Sequence, residues 1–226
     1  YIRSHGFFFI FIYPCRFLYF QFIQFIDKKF FETQIFNFKL LLDKDDFGIS
    51  KALFLYRKRE LEHKFILENS IIKNKPIIVY DIGSNIGYYL NIISKLIHLK
   101  SKIIAIEPSE SNIKILKKNI EINKVQNTSI INGAISDTSQ VKKFFLSNES
   151  NLNTFHNFGS IVKKLSGNHS MVETFTIDKI NEKFNCKPDY IRMDVEGHEV
   201  EILSSMIHSI STNLYSPDIL FETHLS

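Results

Sequence analysis

The hydrophobic pattern changes character along the chain. From residue 77 onward, short apolar β-type runs alternate with helical stretches. Residues 77–82, Ile-Ile-Val-Tyr-Asp-Ile, are continuous and mostly β-branched, as in a strand buried on both faces. A glycine turn and a helix follow, with apolar residues at 89, 92, 93, 96 and 97. Residues 102–106 predict a second strand, 109–123 a second helix and 128–135 a third strand. Residues 141–146 and 172–177 read as edge strands or a hairpin flanking a polar loop, 147–170. Residues 189–195 predict another strand, 198–210 another helix and 218–223 a last strand. Strands separated by 10–15-residue helices imply βαβ crossovers, hence a doubly wound, mostly parallel α/β sheet with helices on both faces.

The first 45 residues follow a different pattern. Twelve of the 22 phenylalanines fall within residues 1–42. Residues 7–26 are long enough to span a bilayer, at about 20 residues. Pro14 and Arg16 interrupt that run, and a central Arg opposes insertion by about 2.5–3.5 kcal/mol. Gln21, Gln24, Asp27 and Lys28 recur at helical spacing, one polar stripe on an otherwise aromatic helix. This favours a helix packed on the domain or resting on a membrane surface through residues 7–31, over a true span. Residues 1–45 are read as an aromatic helical extension, and 46–226 as the main domain. Residues 41–46 predict a turn with capping potential, 51–68 a charged helix and 73–76 a second turn.

Composition narrows the function classes. The chain has 226 residues, 44% of them hydrophobic, enough for a packed core. Lys+Arg 28 against Asp+Glu 24 is a small, scattered excess. It argues against a nucleic-acid partner, which needs a basic stripe. Cys15 and Cys186 make no disulfide framework and lack metal spacing, and no pair of histidines shows it either. A reduced, cytoplasmic compartment fits. The chain lacks an initiating Met and ends in a strand-like run, so it reads as a fragment.

In such a sheet, ligands bind beyond the carboxyl ends of the strands, and three places there carry chemistry. Asp81-Ile-Gly83-Ser84-Asn85-Ile-Gly87 opens a helix directly after the first strand. Gly83 allows a turn and a close ligand approach, Gly87 allows close packing, and the helix start offers free N–H groups. Asp81 repels a polyanion and suits a ligand with a cationic group. Glu107 ends the second strand, about the interval at which an acid meets ribose hydroxyls. Asp194, Glu196 and His198 follow the strand 189–195, where a carboxylate or imidazole can accept a substrate proton. The plainer alternatives are Asn85 and Ser109 as helix caps, Glu107 as a solvated strand end, and Glu196 and His198 solvating the next helix.

These residues carry a resemblance. The runs VYDIGSNIGYY, IIAIEPSESNIKILKKNIEIN, NGAISD, TFTIDKI, PDYIRMDVEGHEVEIL and PDILFETH, in that order, resemble the FkbM family of S-adenosylmethionine-dependent methyltransferases over roughly residues 46–224. The lead-in around Tyr56-Arg-Lys-Arg-Glu60 and the loop Ser150–Thr154 are also similar, while Leu61 stands where proline is common. The resemblance implies a Rossmann-like methyltransferase sheet, here incomplete at its C-terminal strands. It implies that Gly83, Ser84, Asn85 and Gly87 wrap the methionine moiety of S-adenosylmethionine and that Asp81 faces its amino end. Glu107 would hold the ribose, and Ala134, with its neighbours 133 and 135, would lie along the adenine. Asp194 and Glu196, with His198, would border the acceptor, and no metal is implied.

The expected reaction is O-methylation of a small-molecule or glycan hydroxyl, with Asp194 or Glu196 as the base. An NAD-type dehydrogenase would need G-x-G-x-x-G, which this loop lacks. An amino-methylating nucleic-acid enzyme would carry Asn/Asp-Pro-Pro-aromatic where this chain has Asp194-Val-Glu-Gly197. The remaining alternative is a degenerate domain that binds cofactor or partners without turnover.

Overall fold

The computed structural model describes residues 9–147, 149–155 and 165–222. Phe7 and Phe8 of the aromatic run, much of the polar loop 147–170 and the last four residues, His224 among them, lie outside them. The elements, in chain order, are α1 (Phe9–Gln24), the hairpin β1 (Phe30–Ile35) and β2 (Phe38–Asp43), α2 (Ile49–Tyr56), α3 (Leu61–Ser70), β3 (Ile78–Ile82), α4 (Tyr88–Leu96), β4 (Lys102–Glu107), α5 (Glu110–Ile122), β5 (Thr128–Asn132), β6 (Ala134–Ile135), β7 (Val141–Ser147), β8 (Leu165–Phe175), α6 (Ile177–Phe184), β9 (Tyr190–Met193), α7 (Glu199–Ser211) and β10 (Asp218–Phe221).

Five strands form one sheet in the order β10-β9-β3-β4-β5, every neighbouring pair parallel. The fold is therefore the doubly wound α/β class expected. The chain runs outward from β3 through β4 to β5, then returns to place β9 on the other side of β3. That reversal makes the carboxyl ends of β3 and β9 the switch point, where a crevice opens. Side chains alternate between two cores. Val79, Ile103, Ala105 and Tyr190 face one that includes α4, α5 and the N-terminal elements. Tyr80, Ile82, Ile104, Ile191 and Met193 face the other, filled by Ile177 and Ile180 of α6 and Ile202 and Met206 of α7.

Several boundaries differ from expectation for identifiable reasons. The third strand stops at Asn132, and residues 134–135 pair with β8 instead. Gly133 makes the break: a β-carbon there would lie 2.7 Å from the Phe175 ring and 2.8 Å from the Glu173 carbonyl oxygen. The helix expected over 51–68 is two helices. Between them Arg57 and Glu60 have φ of 61° and 46°. Tyr88 secures this turn, its hydroxyl accepting from the Arg59 N–H and donating to the Arg59 carbonyl. Helix α6 lies where no helix was expected, started by Thr176, whose side chain accepts from the Lys179 N–H.

The N-terminal region contains a hairpin rather than helix alone. Thr33, Ile35, Phe38, Leu40 and Leu42 alternate inward and are buried in the core beside Val79 and Leu116. Asn119 of α5 and Asn123, the residue just after it, hold its edge. Asn119 accepts from the Leu41 N–H and donates to the Leu41 carbonyl, and Asn123 does the same at Lys39. Helix α1 lies against α2: Tyr13 stacks on Tyr56, Arg16 donates to the Leu55 carbonyl, Phe20 and Ile23 are buried, and Gln24 donates to the Lys44 carbonyl. Arg16 and Gln24 thus turn toward the protein, while Gln21, Asp27 and Lys28 of the polar stripe are exposed. Among the described residues no helix is long and apolar enough to cross a membrane.

Candidate cofactor cleft

The turn after β3 is fixed by its own backbone. The N–H groups of Gly83 and Ser84 both donate to the Ile106 carbonyl, and the Ser84 hydroxyl donates to that of Asp81. Gly83 has φ +75°, and a β-carbon there would fall 2.0 Å from the Asp194 carbonyl oxygen. Glycine is therefore required where the β3 turn meets the β9 turn. Asn85 adopts φ 49°, and Gly87 sits where a β-carbon would strike Leu116 at 2.7 Å. Gly87 is thus a packing glycine at the start of α4 and does not line the cleft.

Glu107, at the end of β4, is buried beneath this turn. It accepts from the N–H groups of Asn85 and Ser109, each at 2.9 Å, and from the Asn112 amide at 3.1 Å. Burial pushes its carboxyl up to about 7, and these three donors oppose the shift by favouring the ionised form. A carboxylate has about four acceptor positions, so the chain leaves room for one further donor from the cleft. Ser109, as expected for a cap, also starts α5.

Asp81 is placed differently from the expectation that it faces the ligand. It is fully buried on the β3 face and pairs in register with Arg192 on β9. Arg192 reaches over it, with Nη1 3.4 Å from Asp81 Oδ1 and Nη2 2.9 Å from Asp194 Oδ2. The guanidinium also donates to the Gly83 carbonyl and lies 4.2 Å from the Tyr89 ring centre. Burial raises the Asp81 pKa, opposed by the Arg192 charge. Burial works against the Arg192 charge too, and the Asp194 and Asp81 carboxylates outweigh it, holding its pKa above the usual value. Asp81 therefore supports Arg192, and Arg192 presents its charge to the cleft.

The cleft brings together Gly83, Ser84, Asn85, Glu107, Ala134, Asp194 and Glu196 from the sequence reading, and His198 with them. Its remaining walls come from residues to which the sequence reading assigned no role, Arg59, Glu60, Tyr89, Ser150, Phe155 and Arg192 among them, although all but Phe155 lie in the runs that carry the resemblance. One signal for Arg192 existed, a base inside an apolar strand, since a buried charge requires a partner. Among the described residues four acids, Glu60, Glu107, Asp194 and Glu196, line the cleft against two bases, Arg59 and Arg192. Such a lining favours a ligand carrying positive charge.

A short strap crosses this cleft. Residues 150–152 form one 3₁₀ turn. Asp46 accepts from the Ser150 N–H and hydroxyl, both at 3.0 Å, and Asn85 donates to the Ser150 carbonyl. Thr154 donates to the Glu196 carbonyl. Glu196 itself has φ 53°, an uncommon conformation for a non-glycine residue. His198 is buried, with Phe155 against its ring at 4.8 Å, Nε2 3.0 Å from Ser136 Oγ and Nδ1 3.6 Å from Glu201 Oε2. Both ring nitrogens thus point at protein groups, which makes His198 part of the wall.

A family model for the methyltransferase FkbM domain matches residues 81–226. The chain belongs to the FkbM methyltransferase family. No curated protein matches the sequence. Among solved structures, precorrin-6y C5,15-methyltransferase from Geobacter metallireducens is 13% identical, over 73% of this chain and 62% of that one, with a TM-score of 0.39. TYW2 from M. jannaschii in complex with AdoMet is 21% identical over 47% and 44%, TM-score 0.36. The aTrm5 complex with tRNALeu is 20% identical over 46% and 28%, TM-score 0.35. The chain thus spans less than two thirds of the length of each. One fold serves many acceptors, so family membership leaves the acceptor open.

S-adenosylmethionine is the donor such a domain uses. The residues present fit it. The Gly83 turn leaves no room for a side chain between the β3 and β9 loops, Glu107 keeps one acceptor position, and the acidic lining matches a sulfonium.

Proposed function

We propose that this FkbM domain is an S-adenosylmethionine-dependent methyltransferase that O-methylates a hydroxyl of a small molecule or glycan. The observation that carries the reading is the acid-rich cleft at the sheet's switch point, floored by Glu107 and by the abutting Gly83 and Asp194 turns. Gly83, Ser84 and Asn85 would hold the methionine portion, with Arg192 rather than Asp81 offering charge to it. Glu107 would accept from the ribose, and Ala134 would lie by the adenine. When bound, the cofactor supplies an electrophilic methyl on a good leaving group. The chain's task is then alignment and removal of one proton. Asp194 is held by Arg192 and stays an anchor. Glu196, raised on its left-handed turn beside the strap, is the proposed base for the acceptor hydroxyl.

The test is calorimetric binding of S-adenosylmethionine, followed by turnover against a panel of hydroxyl acceptors. Glu107→Ala should weaken binding at least tenfold. Glu196→Gln should keep binding and lose at least 100-fold in turnover. Absence of cofactor binding by the folded wild type overturns the reading, and full turnover by the Gln variant removes Glu196 as base.

A further inference from the structure

Helix α1 is apolar on the side where a surface helix is normally polar. Its docked side is formed by Tyr13, Arg16, Phe20, Ile23 and Gln24, as described above. Cys15, Leu18, Phe22 and Phe25 recur at i, i+3, i+7 and i+10, which places them on one line along the opposite side. Leu18 is 68% exposed, Phe22 60% and Phe25 88%. Tyr19 and Ile26 flank this line on one side and are exposed as well, and the exposed Gln21 borders it on the other. Residues 9–26 contain no acid, and their one base, Arg16, is turned inward. A contiguous exposed apolar face of this kind marks an interaction surface.

We infer that α1 lies in the plane of an anionic bilayer surface, with Leu18, Phe22 and Phe25 entering the boundary between headgroups and acyl chains. Three observations favour that occupant. One side of α1 is docked on the protein through Tyr13, Arg16, Phe20, Ile23 and Gln24, so only its other side is open to lipid. That suits lying in the interface, where one face sinks about 5–10 Å. The face is aromatic and aliphatic, the composition that the interface between lipid and water accepts. Beyond Asp27, the exposed Lys28 and Lys29 stand at the end of the apolar line; Lys29 also lies 3.3 Å from Asp43, which leaves Lys28 as the main attraction for anionic headgroups. A second copy of the chain is the less suitable occupant. One side of one helix supplies far fewer than the roughly 20–30 residues of a stable protein interface.

The inference is independent of the cleft's chemistry. Sedimentation of the full chain with phosphatidylcholine vesicles, and with vesicles containing one quarter phosphatidylglycerol, tests it. The expected result is co-sedimentation, stronger on the anionic vesicles and weakened by added salt. Leu18→Asp/Phe22→Asp should reduce binding at least tenfold, and Lys28→Glu should weaken the preference for anionic lipid. Both variants should melt within about 2 °C of wild type and bind S-adenosylmethionine equally, since neither touches core or cleft. Wild type left in the supernatant with both vesicle types overturns the inference. So does unchanged binding by the Asp variant. A concentration-dependent dimer in the ultracentrifuge that the Asp variant abolishes, without vesicle binding, overturns it in favour of a second copy.

Discussion

At the scale of single residues, the charged groups behind the cleft decide more than those on its surface. Glu107 is an acid whose folded pKa, about 7, is raised above its ordinary value of 4.5. Between those values the native state holds a proton that the unfolded chain has released. Stability from this group is therefore fully present below about pH 4.5 and is lost as pH rises through 7. Wild type should lose thermal stability over that window relative to Glu107→Gln, in melts recorded from pH 5 to 8. Cofactor affinity should run the opposite way. A hydroxyl donating to Glu107 favours the ionised carboxylate, so affinity should rise with pH through about 7 and flatten in the Gln variant, read by calorimetry.

Arg192 gives a second prediction at this scale. Arg192→Met leaves Asp81 buried without its counter-charge, which should destabilise by about 3–5 kcal/mol. Adding Asp81→Asn should recover part of that loss in denaturant titrations. If the double variant is no more stable than the single one, Asp81 is not the partner that matters. The motif acids and glycines were legible in the sequence because their chemistry is local: a strand end, a turn, a helix start. Arg59, Glu60 and Arg192 were not, because they reach the cleft through strand register and through a turn held by Tyr88 and Tyr89.

Among the elements, the parallel strands were readable because burial on both faces leaves an unbroken apolar run, as in residues 77–82 and 102–106. The β1–β2 hairpin was hidden for a related reason. Phenylalanines stand at outward as well as inward positions, so the alternation that marks a half-buried strand is blurred. The break at Gly133 was hidden because only the neighbouring Phe175 and Glu173 demand it. The strap offers a prediction. Asp46 joins the start of α2 to Ser150 through four hydrogen bonds, to Gly48, Ser50 and twice to Ser150. Asp46→Ala should cost about 2 kcal/mol, on the scale of a bond to a charged acceptor. It should also speed amide hydrogen exchange at Ser150 while β3 and β4 stay protected. Unchanged exchange at Ser150 would mean that Asn85 and Thr154 hold the strap without Asp46.

For the molecule as a whole, the N-terminal region shares its interior with the sheet. Phe20, Ile35, Leu40 and Leu42 lie in one cluster with Val79, Leu90 and Leu116. Expression of residues 46–226 alone should therefore yield a chain that aggregates or melts without cooperativity, by light scattering and circular dichroism. A soluble, sharply melting product would show that the sheet's interior closes without the hairpin.

The grip of Asn119 and Asn123 on the hairpin has a consequence for which positions can change. Both asparagines hold main-chain atoms, and every residue except proline supplies the same pair. Four residues of helix advance about 6 Å and two residues of strand about 6.8 Å, near enough for two rungs and too unequal for a third. Lys39, whose side chain is exposed, is thus held by address instead of identity and can drift to other side chains, while Leu41 is held by its packing as well. Asn119 and Asn123 have no such latitude, since only a carboxamide both gives and receives at that spacing.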